Sequence, residues 1–152
     1  MNFDNLLTLD TIDILDEATH KDVIEKLISM MRGSEKIANI DELRNSIFDR
    51  EKIISTGIGL GLAIPHARNE FVREFMMSAV LVRGGVEWKS IDDKIVNFIV
   101  LVASPTKTHK EYLGILARIV LLWKDDLIRK KILSASNKKE IFDCFKNSNN
   151  SV

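Results

Sequence analysis

Two apolar runs constrain this chain more than any other feature: MMSAVLV over 76–82 and IVNFIVLV over 95–102. Both are short, rich in β-branched residues and read as strands, the second central to a sheet. The first run ends at Gly84-Gly85, and the GVEWKSIDDK that follows holds Trp88 and a turn at Asp92-Asp93. Elsewhere the apolar period becomes that of a helix. Val23, Ile24, Leu27, Ile28 and Met31 follow a Thr19 N-cap and precede a Gly33 stop. Leu43, Ile47 and Phe48 repeat the pattern over 40–52, with Arg50, Glu51 and Lys52 at the helix end. Ser104-Pro105 breaks the chain before a helix from about Thr108 to Trp123, whose apolar side is read as Leu113, Leu116, Ala117, Val120 and Leu121. Two shorter helices are expected over 125–134 and 138–146, the second opened by Asn137 with Glu140 three residues on, an analogue of the capping box.

Strands and helices interspersed without a repeat or linker predict an α/β fold of one domain, with helices covering the sheet. The 152 residues suffice for one core without disulfides or metals. The domain is expected over 1–147, with 148–152 a frayed tail. Basic and acidic residues balance at 22 each, so no global field draws the chain to nucleic acid or an anionic membrane. The single Cys144 reads as a core thiol and suits a reducing compartment. The N-terminal stretch interleaves acids with its apolar residues and predicts neither a signal nor a transit peptide. No apolar run approaches a membrane span, so a cytoplasmic protein without direct membrane insertion is expected.

Residues 55–68, STGIGLGLAIPHAR, interrupt the helical period and hold the candidate His66. Dinucleotide binding needs a strand, GxGxxG and a helix, whereas here the glycines are spaced GxGxG and Pro65 blocks a following helix. A phosphate loop of the GxxxxGK(S/T) type fails too, because no Gly-Lys follows. The glycines instead let backbone pass close to a neighbour, while Pro65 fixes its own φ and holds Ile64 extended, which limits where His66 can point. A partly neutral imidazole so placed is either a nucleophile for phosphorus or a ring closing a loop through a backbone hydrogen bond. Nearby candidates for an anion site are Arg50, a bidentate clamp; Ser55 and Thr56, as hydroxyl donors; and His109, at a helix start. His20, beside the Thr19 cap, reads as a solvated helix-start residue. The three histidines form no local ligand pair, and neither metal nor cofactor is expected.

The pattern Arg50-Glu51, Ser55-Thr56-Gly57-Ile58-Gly59, Gly61 and Ala63-Ile64-Pro65-His66 closely resembles the enzyme IIA domains of the fructose/mannitol class of the bacterial phosphoenolpyruvate-dependent sugar phosphotransferase system. That class includes the nitrogen-regulatory enzyme IIA proteins. The resemblance continues through Gly85-Val86-Glu87-Trp88, Asp92, Ser104-Pro105 and Leu116-Ala117-Arg118. It implies a five-stranded mixed sheet flanked by helices. It also implies that His66 takes a phosphoryl group on Nε2 from the histidine-containing phosphocarrier protein and passes it to a cysteine of an enzyme IIB. Arg50 then matches the active-site arginine and His109 the second histidine. The chain departs from the pattern at Ala67-Arg68, where glycine then lysine or another small or polar residue is usual, and at Leu60, where asparagine or histidine is frequent. An alignment anchored on Leu116-Ala117-Arg118 and Asp125 places Tyr112, rather than His109, at the second-histidine position. Two roles stay open: a carrier in a sugar-uptake relay, and a regulatory protein whose phosphorylation state controls partners.

Overall fold

A computed structural model describes residues 3, 5–53, 55–90 and 92–148. In chain order the elements are β1 (Ile12–Leu15), α1 (His20–Ser29), α2 (Ile40–Ile53), β2 (Gly57–Gly59), β3 (Leu62–Ala63), β4 (His66–Arg68), β5 (Met76–Val86), β6 (Val96–Ser104), α3 (His109–Lys124), α4 (Asp126–Leu133) and α5 (Lys138–Ser148). The tail expected to fray lies outside the described residues except for Ser148, which closes α5.

The second apolar run is the sheet's central strand. β6 pairs antiparallel with β5, from Met76 opposite Ala103 to Leu81 opposite Phe98, and parallel with both β3 and β4. β1 adds parallel to β5, and β2 antiparallel to β3, giving the order β1-β5-β6-β3-β2 with β4 also on β6. β3 and β4 lie end to end along β6, so six strands occupy five positions and the expected five-stranded mixed sheet is what forms. Pro65 causes the break, having no N–H for a ladder. Its carbonyl still accepts from the Val102 N–H at 3.0 Å, which keeps the interrupted strand on β6.

Period-two alternation divides the side chains between two cores. Met77, Ala79, Leu81, Phe98, Val100 and Val102 face a core completed by α3, α4 and α5. Met76, Val80, Val82, Ile99, Leu101 and Ala103 face α1 and α2. The α1 stripe is as expected, with Val23, Ile24, Leu27, Ile28 and Met31 all buried and the Thr19 hydroxyl capping Asp22. Asn137 caps the Glu140 N–H at 3.1 Å, while the Glu140 carboxylate reaches back to the Ser136 N–H.

Three expectations are corrected. The first apolar run continues through Gly84-Gly85 to Val86, with an irregular register past Leu81. On α3 the buried residues are Tyr112, Ile115, Ile119, Leu122 and Trp123, whereas Leu113 and Leu121, assigned to the apolar side, are exposed. This helix is apolar on nearly every face, so periodicity alone cannot choose the side that meets the sheet. Cys144 is half-buried at the edge of its core, where burial pushes its thiol pKa up.

Candidate functional site

The glycine segment folds as a hairpin. β2 and β3 are joined through Gly59, Leu60 and Gly61, all at positive φ. The turn is held from two sides: the Asp92 carboxylate accepts from the Leu60 N–H at 3.1 Å, and the Trp123 indole N–H donates to the Leu60 carbonyl at 2.8 Å. The Asp92 carboxyl lies below the usual carboxylate range because Ser90 and the Leu60 and Lys94 amides donate to it. At Gly57 the backbone passes close to a neighbour, as expected: a Cβ there would stand 2.6 Å from Ser90 Cα.

Past the hairpin, Ile64-Pro65 delivers His66 to the start of β4. Its Nδ1 lies 2.7 Å from the Ile64 carbonyl, two residues back. A carbonyl can only accept, so Nδ1 carries the proton and Nε2 keeps its lone pair. Burial lowers the His66 pKa, with the Arg50 charge adding to the fall, against the upward pull of the Ile64 bond and of Glu51. The ring is therefore neutral near neutral pH, with the Nε2 lone pair free of a proton.

Around it the described residues form a hollow of about 500 Å3 lined by Ser46, Arg50, His66, Arg68, His109, Tyr112 and Leu113, among others. Arg50 comes from the last turn of α2 and is exposed. His109 opens α3, where the sequence places it, but its immediate partner is Arg68, whose guanidinium donates to His109 Nδ1 at 2.6 Å. The ring against His66 is that of Tyr112, edge-on with centroids 5.4 Å apart, and Arg68 lies 5.6 Å from the Tyr112 ring centre. Burial raises the Tyr112 phenol pKa, and the charges of Arg50 and Arg68 pull it down. Both residues that competed for the second-histidine position are thus in the site. His109 is tied to a cation, and Tyr112 packs on the imidazole.

Arg68 stood out in the sequence only as a departure from a pattern, and nothing in its spacing signalled a bond to a residue 41 positions away. Ser55 and Thr56 line an adjoining hollow with Arg50, His66 and the apolar side chains of Ile58, Leu116, Val120 and Leu121. Their hydroxyls serve the loop itself. Ser55 donates to the Trp88 carbonyl at 2.7 Å, and Thr56 donates to Glu51 while accepting from the Trp88 indole N–H at 3.2 Å. His20, expected to be solvated, meets Glu51 at 3.3 Å and packs against the Trp88 ring, centroids 4.0 Å apart. Among the described residues no group of three or more His, Cys, Asp or Glu side chains could hold a metal ion. No helix among them is long and apolar enough to cross a membrane.

Residues 5–148 match the family model described as phosphoenolpyruvate-dependent sugar phosphotransferase system, EIIA 2. The chain belongs to that family. Relatives of this EIIA domain include the fructose-specific EIIABC component of Bacillus subtilis strain 168, 29% identical over 94% of this chain but only 23% of the relative. They also include the fructose-specific EIIA component of Haloferax volcanii, 25% identical over 83% of this chain and 82% of that protein. The chain thus spans under a quarter of the first relative and most of the second. Among solved structures, the nitrogen regulatory protein IIA-Ntr of Neisseria meningitidis superposes with a TM-score of 0.85 at 25% identity, covering 93% of this chain and 97% of that one.

Proposed function

We infer that this EIIA domain carries a phosphoryl group on His66, accepting it from the histidine-containing phosphocarrier protein and passing it to a cysteine thiolate of an enzyme IIB. The observation that carries this reading is the Nδ1–H bond to the Ile64 carbonyl, which reserves the Nε2 lone pair for phosphorus. As the Nε2–P bond forms, the donor N–P bond breaks and the donor nitrogen keeps its electron pair. The His66 ring becomes formally cationic with its proton still on Nδ1, where the Ile64 carbonyl faces it. In onward transfer the S–P bond forms, Nε2–P breaks and the pair returns to Nε2. No proton leaves the ring in either step, so alignment and charge stabilisation are the catalysis.

Arg50 clamps the phosphoryl oxygens in this reading, and His109 supplies a second donor: with Nδ1 accepting from Arg68, its proton sits on Nε2. Ser55 and Thr56 support the site by fixing the loop that leads to His66. The apolar rim of Ile58, Leu116, Val120 and Leu121 suits a protein partner that must exclude water from the transferring group.

A regulatory role, in which the phosphorylation state controls partner proteins, is the second reading. The close superposition on a nitrogen regulatory IIA protein favours it. Both roles require the same His66 chemistry. Incubation with phosphoenolpyruvate, enzyme I and the phosphocarrier should give acid-labile phosphate that maps to His66 and vanishes in His66→Ala. Label at His20 or His109 with none at His66 refutes the assignment. Onward transfer to an enzyme IIB then separates the relay from the regulatory role.

A further inference from the structure

The reacting imidazole stands at the end of a series of hydrogen bonds that begins on a buried carboxylate. Glu51 follows Arg50 on α2, and only 5% of its side chain is exposed, a placement that requires bonded partners. One oxygen accepts from the Thr56 hydroxyl, and the other lies 3.3 Å from His20 Nε2. Because the Thr56 hydroxyl also accepts from the Trp88 indole N–H at 3.2 Å, its single proton is directed to Glu51. The Thr56 carbonyl accepts the Ile64 N–H at 2.9 Å, and the Ile64 carbonyl accepts the His66 Nδ1–H at 2.7 Å.

We propose that Glu51 is a positioning residue for phosphoryl transfer, fixing the orientation and tautomer of His66 through Thr56 and Ile64. The proposal rests on His66 being the carrier. Its physical basis is that, among the described residues, the Ile64 carbonyl is what holds the ring proton on Nδ1. If that peptide shifts, the proton distributes over both nitrogens, and a neutral ring protonated on Nε2 has no lone pair there for phosphorus. Glu51 also adjoins Arg50, so the same contact steadies the helix end that presents the arginine.

The test combines single-turnover phosphorylation by the phosphorylated phosphocarrier with 15N NMR of the His66 tautomer. Glu51→Ala and Thr56→Val should each slow acceptance about 10- to 100-fold and give a mixture of His66 tautomers. Their double variant should be no slower than the slower single one, because both act on one path. Glu51→Gln, whose amide oxygen still accepts from Thr56, should stay within about threefold of wild type. Rates within about twofold of wild type for Glu51→Ala and Thr56→Val overturn the proposal, as does a slowed rate with an unchanged tautomer. Should Glu51→Ala not fold, Thr56→Val against Thr56→Ser, which restores the hydroxyl, decides: failure of serine to recover the rate also overturns it. Absence of label on His66 in wild type refutes the carrier reading itself, whereas label there with insensitive Glu51 and Thr56 variants refutes only this inference.

Discussion

Protonating His66 would place a charge on a largely enclosed ring that faces Arg50, so the imidazole stays neutral to a lower pH than an exposed histidine. Acceptance of phosphate should fall to half only below pH 6.5, the ordinary histidine value. A half-point above that value in single-turnover profiles contradicts the account. The same depression acts on stability. The unfolded chain binds the proton more readily, so the contribution from neutral His66 is full above about pH 6.5 and is lost as the pH falls through the folded value. Denaturant unfolding from pH 7 downward should show a shallower loss in His66→Gln than in wild type. Arg50 is exposed, and Arg50→Lys, which keeps the charge but loses the planar fork, should slow transfer about 10- to 1000-fold with little change in the urea midpoint. His109→Ala should slow onward transfer, while Tyr112→Phe, which keeps the ring on His66, should be nearly silent. The reverse ranking in single-turnover assays would make Tyr112 the second donor.

At the scale of elements, two glycines separate the demands of the hairpin from those of a helix. Gly57→Ala puts a Cβ 2.6 Å from Ser90 Cα, and since the obstacle is backbone the strand must move, at a cost of about 1–3 kcal/mol. Gly114 lies within α3 with nothing within 4 Å of an added Cβ, so Gly114→Ala should stabilise by about 0.5–1 kcal/mol. Urea midpoints moving in opposite directions check both. The helices were legible in the sequence because capped amphipathic stripes such as Val23 to Met31 announce themselves over several turns. β1, β3 and β4 were not, since two to four residues are too few to show a period, and pairing with β5 or β6 defines them only in the fold. The α3 face was misread because Leu113, Leu116 and Val120 are as apolar as Ile115 and Ile119. The misassigned face is the one that borders His66.

Over the whole molecule, the central position of β6 explains how distant segments meet. Its length along β3 and β4 carries the hairpin and His66, its C-terminal end leads through Ser104 into α3 with His109 and Tyr112, and α2 packs on β4 to bring Arg50. His66, Arg50 and His109 could be picked out as candidates from residue types and motif spacing. The bonds from Arg68 to His109 and from Glu51 to Thr56 could not, because they depend on how separate elements pack. The tautomer of His66 ties these scales together, since the fold sets it and the proposed transfer depends on it. A phosphorus–nitrogen correlation on the 15N-labelled, enzymatically phosphorylated protein tests it most directly. The account predicts phosphorus bonded to Nε2 of His66 with the proton retained on Nδ1; phosphorus on Nδ1 of His66, or on His20 or His109 instead, would contradict it.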